Sequence, residues 1–516
     1  VNILGKLLPL VIVLAGVIAY AGSFSGAFVF DDYIWIVDNE NIKHFLPSML
    51  YSSRPVVGLT FYLNCIGSGG LLKVADFHLI NLIIHLISAL LLYGICRRTL
   101  LLPRLAGKFS SHEAVLAAAV SVIWAVHPLQ TESVTYIVQR SESLMGMFYL
   151  LSLYCVIRAS GSTVCHQWNT TAIVSCALGM ATKPVMVTAP LIILLYDRTF
   201  VTGSFARSLK ERWGLYAGLA LTWIIPAALL SFPNESSTSA GFGASADPPL
   251  SYLMTQQGVI LHYIKLALWP DGLCIDYDWP SVVTVSGKVI FQAVLVFLLV
   301  AGSLLLSTRR NILGFVGLWF IMNLAPTSSF VPLSDSAAEH RMYLPLISIV
   351  VFFAFGLYGL LRLPPGIDKK SSWTVLRMPV FGVLIAVVSI LFVFLTVRRN
   401  KVYQSDESMW MNVLSVNPGN LRGQLGVGTA LLKRGITGGA ERYFLRILEN
   451  DRLPHDRKWK KRTTEFVMAY NNLGSIRFQE GKYVEAETLF RKSISISPCD
   501  AAKRNLVLSL EMQKGR

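Results

Sequence analysis

The sequence predicts an all-α protein: a polytopic membrane helix bundle of about eleven spans over residues 1–397, followed by a soluble helical-repeat domain over 398–516. Three observations carry this reading. Of the 516 residues, 53% are hydrophobic and only 15% charged, with a mean hydropathy of +0.53, which is the composition of a membrane protein. Apolar runs of about 20 residues, the length that crosses a bilayer, recur as far as residue 396. Beyond Val402 the apolar residues thin to the spacing of packed helix pairs.

The 46 basic residues exceed the 30 acidic ones, a net charge of +16. The basic clusters Arg97-Arg98 to Lys108, Arg198 to Arg212, Arg309-Arg310 and Lys369-Lys370 sit at the ends of apolar runs. They therefore read as topology signals rather than a nucleic-acid surface, and no nucleic-acid motif accompanies them. The seven cysteines are far apart and lack metal-ligand spacing, so they give neither a disulfide framework nor a zinc site.

The first span, about 3–22, is longer than the apolar core of a cleavable signal peptide and reads as retained, with Lys6 on the cytoplasmic side. Asp31 and Asp32 follow it on the outer face. Residues 33–70, with Trp35, His44 and Arg54-Pro55, are too polar to cross and suit an interfacial helix and loop. Span 77–96 returns inward with His78, Asn81 and His85 as interhelical hydrogen-bond formers. Span 113–127 leads out to His127, Glu132, Arg140 and Glu142, and 143–158 leads back. Residues 169–196 suit a hairpin of two half-length helices with Lys183-Pro184 at its apex. Span 214–232 exits into a polar loop, 233–249.

Segment 251–269 is broken by Gln256, Gln257, His262 and Lys265, and a crossing here would leave Arg309-Arg310 outside. It reads as a helix at the outer interface. Spans 286–307, 311–324, 342–362 and 376–396 then leave the amino terminus inside and the carboxyl terminus outside, with Arg398-Arg399-Asn400-Lys401 against the positive-inside rule. Residues 470–498 carry Leu473-Gly474, Phe478, Gly481, Tyr483, Ala486, Phe490 and Pro498 at tetratricopeptide-repeat positions. A looser copy runs through Leu425-Gly426, Ala440 and Phe444, and Trp410 to Pro418 suits the second helix of a preceding unit.

Two adjacent carboxylates cannot point the same way, so Asp31 and Asp32 suit a general base with a bracing partner. Alone, such a pair is more simply a solvated boundary or a helix cap. The outer stretch Glu339-His340-Arg341 changes that balance, because three ionisable groups at a membrane surface are costly to bury without partners. An arginine fork holds two oxygens of a phosphate and keeps its charge. Arg341 and Arg140, with Lys183 and His340 assisting, are therefore the expected phosphate ligands opposite the carboxylates. Arg54, His127, Glu132 and Glu339 are expected to support them. No P-loop or GxGxxG unit is present, which fits a lipid-phosphate sugar donor rather than a sugar nucleotide.

The order Phe30-Asp31-Asp32, Arg54-Pro55, Asn81 with His85, His127-Pro128 with Glu132 and Arg140, Lys183, Trp269-Pro270 with Asp276-Tyr277, and Ala338-Glu339-His340-Arg341 with Tyr343-Leu344-Pro345, then the repeats, resembles the transmembrane and tetratricopeptide-repeat-containing O-mannosyltransferase family. The short loops and short repeat domain suit a prokaryotic member. The resemblance implies a GT-C glycosyltransferase with Asp31 and Asp32 as catalytic acidic pair. It also implies transfer of mannose or another hexose from a polyprenyl-phosphate donor to a protein Ser or Thr, on the periplasmic or lumenal face. The membrane would be a bacterial inner membrane or the endoplasmic reticulum. A divalent metal stays open. The repeats would present the acceptor polypeptide. A lipid or polysaccharide acceptor, and a non-enzymatic scaffold recruiting partners through its repeats, are the alternatives.

Overall fold

The computed structural model describes residues 3–42, 52–109, 111–231, 247–361, 372–449 and 462–514. His44, Lys369-Lys370, most of the 233–249 loop and the side chain of Lys6 lie outside the described residues. The described chain is helical, and contains no β-strand.

The membrane part runs through α1 (Ile3–Tyr20), α2 (Pro55–Gly67), α3 (Val74–Leu100), α4 (Pro103–Phe109), α5 (Glu113–Val126), the single turn α6 (Thr131–Val134), α7 (Arg140–Ala159), α8 (Cys165–Met180) and α9 (Ala189–Tyr196). It continues through α10 (Phe205–Glu211), α11 (Trp213–Leu221), α12 (Ile224–Ser231), α13 (Pro249–Leu268), α14 (Gly287–Thr308), α15 (Ile312–Leu324), α16 (Leu346–Leu360) and α17 (Ser372–Asn400). Seven of the described helical stretches are long and apolar enough to cross a membrane, or eight if α4 and α5 form one bent span. The protein is an integral membrane protein. Helices α5, α8, α15 and α16 hold 14, 16, 13 and 15 residues, short of the ~20 that a straight span needs.

Side-chain ties define the two ends of the bundle. At one end Arg97 meets Glu113, Thr99 meets Tyr196, Arg212 meets Asp197, and Arg198 donates to the Ser307 carbonyl. The basic clusters at 97–104, 198–212 and 309–310 thus gather together, as topology signals on one surface should. At the other end, the Ala27 amide donates to the Tyr403 carbonyl and Asn400 donates to that of Ala19. The run at 398–401 therefore lies with Asp31, and Arg399 is buried beside Glu339 at 3.8 Å. The Arg399 charge is thus met inside the fold, while Arg398 and Lys401 are exposed.

Local chemistry explains the joints. Ser286 and Asn311 cap α14 and α15 by accepting from the amides of Val289 and Leu313. The α14–α15 hairpin is so tight that a Cβ on Gly314 would lie 2.3 Å from the Ser307 amide nitrogen. Along its whole length α13 bonds to groups at the Asp31 end: Tyr252 to the Thr327 carbonyl, Gln256 to that of Ser336, Tyr263 to the Ala338 amide, and Ala267 to His127. That is the arrangement of a helix lying at this end of the bundle.

The C-terminal part is built of α18 (Asp406–Val416), α19 (Leu421–Lys433), α20 (Thr437–Glu449), α21 (Thr463–Gln479), α22 (Tyr483–Ile496) and α23 (Asp500–Lys514). Gly474 of α21 lies against the Phe490 ring of α22, where a Cβ would come within 2.7 Å. Gly481 makes the turn between them at φ +75°. This part rests on the Asp31 end. Asn417 and Asn420 donate to the carbonyls of Tyr277 and Asp276, and Arg462 pairs with Asp278.

Candidate active site

The two aspartates are adjacent in sequence and unlike in use. Asp32 is fully buried, and its carboxylate accepts from the amides of Val29 at 3.0 Å and Val138 at 2.8 Å. It thereby ties the turn after α1 to the start of α7. Asp31 is partly exposed, and its amide donates to Tyr136 Oη at 3.0 Å. Burial raises the Asp31 pKa above 3.8, against a hydrogen bond with Tyr136 and the guanidiniums of Arg422 and Arg54. A raised carboxyl with an accessible oxygen suits a general base. Burial pushes Asp32 up to about 8, although the two amides favour its charged form.

Phe30, immediately before the pair, adopts φ +49°, which costs a non-glycine residue on the order of 1 kcal/mol. Two contacts from α18 hold it there. Its amide donates to Asp406 Oδ1 at 3.2 Å, and its ring stands edge-on to Trp410, 5.1 Å between centroids. Strain held in place beside a reactive group is a mark of a functional site.

Arg54 favours the charged form of Asp31, and Lys183, His340 and Arg341 cluster with Arg54. Arg54 makes a hydrogen bond to Ser141 Oγ at 3.3 Å, and Asp31 and Glu142 favour its charge against burial. Lys183 Nζ lies 2.6 Å from Glu142 Oε2; burial lowers its pKa and Glu142 opposes the shift. Glu132 grips His340 twice, accepting from its backbone amide at 2.9 Å and contacting Nδ1 at 2.7 Å. Burial, then Lys183, lower the imidazole, and burial lifts Glu132 to about 7. Arg341 donates to the carbonyls of Ser336 at 3.0 Å and Asp335 at 2.5 Å, so part of its fork is already used.

The other expected residues are placed differently. Arg140 is enclosed: it donates to Asn81 Oδ1 at 2.6 Å and to the carbonyls of Phe77 and Thr60, with its guanidinium over the Phe61 ring at 4.6 Å. Expected on the phosphate, it is spent on α2 and α3. His127 uses both ring nitrogens, on the Ala267 carbonyl and the Leu129 amide. Glu339 accepts from the Cys274 amide and Tyr277 Oη, at 2.6 and 2.7 Å. Both are bracing residues. Among the described residues, no group of three or more His, Cys, Asp or Glu side chains is placed to hold a metal ion.

Arg422, of the C-terminal part, is absent from the sequence expectations. It lies 3.1 Å from both Asp276 and Asp335 and sits over the Phe30 ring. No motif marks it, since an arginine on a repeat helix reads as solvated. Arg399 did carry a signal, as the basic run that broke the topology rule.

Fold and site together define an all-α integral membrane protein whose ionisable groups meet at one end of the bundle, beneath a helical domain. The chain is 24% identical to the human protein O-mannosyl-transferase TMTC3 over 93% of its own length and 59% of that protein. It is 28% identical to human protein O-mannosyl-transferase TMTC4 over 84% and 65%, and 25% identical to Drosophila melanogaster protein O-mannosyl-transferase Tmtc3 over 93% and 58%. These are relatives of the kind the motif order points to. The chain spans less than two thirds of the length of each. No protein-family model matches it. A solved Archaeoglobus fulgidus oligosaccharyltransferase, tethered to an acceptor peptide, covers 77% of this chain and 55% of its own at 13% identity and a TM-score of 0.42, too loose a likeness to argue from.

Proposed function

We propose that this protein is a membrane glycosyltransferase that moves a sugar, mannose or another hexose, from a polyprenyl-phosphate donor to a Ser or Thr hydroxyl of a polypeptide. The observation that supports it most is Asp31: a partly exposed carboxylate with a raised pKa, beside a strained residue and the Arg422 and Arg54 guanidiniums, with Lys183, His340 and Arg341 clustered about Arg54. The names of the relatives agree with a protein acceptor and with mannose.

The acceptor hydroxyl attacks the anomeric carbon as the bond from that carbon to the phosphate oxygen breaks, inverting the centre. Its proton passes to Asp31. Polyprenyl phosphate leaves carrying the electron pair, and its developing charge falls to Arg54, Lys183 and the unused part of Arg341, with the His340 ring beside them. Glu132 orients the His340 ring, and Asp32 fixes the turn on which Asp31 stands. The site then faces the periplasm or lumen, on the surface away from the basic clusters, with the repeats beside it to present the acceptor. The short helices α5, α8, α15 and α16 complete eleven crossings with the seven long stretches.

Purified protein incubated with labelled polyprenyl-phosphate mannose and a Ser/Thr-rich peptide tests the proposal. Label should appear on the peptide. Label on lipid or polysaccharide only would favour the alternative acceptor, and no transfer with any polyprenyl-phosphate hexose would refute the enzyme.

A further inference from the structure

At the end of the bundle opposite Asp31, three guanidiniums share one cleft. Arg104, Arg309 and Arg310 line it beside Leu102, Ser160 and Phe200, and no acidic residue is among its lining side chains. Arg104 donates to the carbonyls of Thr199 and Arg310, and Arg310 reaches that of Thr199 at 3.5 Å, so their described partners are neutral backbone groups. Arg310 Nε is buried with no hydrogen-bond partner among the described residues, on a backbone at φ +55°. Three cations gathered without a counter-charge repel one another, and an anion in the cleft relieves that repulsion.

The cleft opens beside an apolar cavity of about 430 Å³ that shares Phe200 with it. Leu100, Leu105, Phe315, Val316, Phe355 and Gly356 are among its lining residues, from α3, α4, α15 and α16. The chain passes directly from Arg104 to Leu105 and from Arg310 to Asn311, so the charged mouth and the apolar wall are built on the same two joints. A free phosphate has no use for the cavity, and a neutral lipid has none for the cations.

We propose that cleft and cavity together bind one anionic phospholipid of the leaflet at this end. Its phosphate lies against Arg104, Arg309 and Arg310, and an acyl chain lies between α3, α15 and α16. The lipid neutralises the arginines and fills the gap between the α3–α4 joint and the α14–α15 hairpin. This site is separate from the donor phosphate site and does not depend on the proposed transfer.

Native mass spectrometry of the purified full chain, titrated in detergent with dioleoyl phosphatidylglycerol or dioleoyl phosphatidylcholine, tests it. Phosphatidylglycerol should be retained in preference. Its affinity should fall about fivefold for each guanidinium removed in Arg104→Gln, Arg309→Gln and Arg310→Gln, while phosphatidylcholine is unaffected. Gly356→Leu is the second variant: a Cβ there meets nothing within 4 Å, and the larger side chain enters the cavity without touching the charges. It should also release phosphatidylglycerol, and it decides the matter if the arginine variants fail to fold. Equal retention of the two lipids by the unmodified protein overturns the proposal. So does unchanged phosphatidylglycerol binding in any folded variant, or displacement of the lipid by millimolar inorganic phosphate, which would mark a free-anion site.

Discussion

Asp32 Oδ1 accepts a hydrogen bond from the Val138 amide at 2.8 Å, and this contact separates the roles of two neighbouring carboxylates. With its other oxygen on Val29 and the side chain fully buried, Asp32 is closed to an incoming hydroxyl. Asp31→Asn should therefore lower transfer by about 10²–10⁴, the usual worth of a general base, with folding unchanged. Asp32→Asn should reduce both activity and thermal stability, the latter by about 1–3 kcal/mol, because an amide offers one acceptor where two donors wait. Thermal unfolding in detergent separates the two; equal destabilisation by both variants would contradict the division.

Arg140 and Arg54 are predicted to differ in kind. Arg140→Met leaves Asn81 Oδ1 without its donor in a closed site and strips a second bond from the helical carbonyls of Phe77 and Thr60, and should cost about 1–3 kcal/mol of stability. Arg54→Met should leave folding nearly intact and raise the KM for the lipid-linked donor about tenfold, the loss of one charge-assisted contact. Unfolding curves and donor titrations check this pair.

The pH dependence follows from the base. A carboxyl must be ionised to accept a proton, so transfer should rise with pH through the Asp31 pKa, at a midpoint above 3.8 because burial raises it. Arg422 holds that pKa down. Arg422→Gln should move the acid limb of the rate profile further upward, a shift that a purely structural loss would not produce. An unmoved limb would remove Arg422 from the site.

Glu132→Gln should weaken donor binding through His340 rather than through direct contact. Glutamine retains one acceptor where the carboxylate meets both the His340 amide and its ring, so the ring loses its fixed orientation. The effect should appear as a KM raised severalfold with kcat little changed. Lost thermal stability with an unchanged KM would argue for packing alone.

Much of this architecture was legible because hydrophobicity is written in the sequence at bilayer length. The runs at 77–96, 286–307 and 376–396 reappear inside α3, α14 and α17, and the Lys183-Pro184 break separates α8 from α9. The acidic pair and Glu339-His340-Arg341 were readable because charge at a membrane surface demands a partner. The partners were not readable. Arg140 and Arg341 have the same side chain, and only packing shows that one is enclosed by Asn81 and two phenylalanines. Arg422 lies 391 positions beyond Asp31, and nothing local announces that a helix of the C-terminal part folds back over Phe30.

The central claim is that Asp31 takes the acceptor's proton. The decisive measurement is single-turnover transfer from labelled polyprenyl-phosphate mannose to a Ser/Thr-rich peptide, comparing unmodified protein with Asp31→Asn at matched donor occupancy. The account predicts label on the peptide in the first case, and donor bound but untransferred in the second. Equal transfer by both proteins would contradict it.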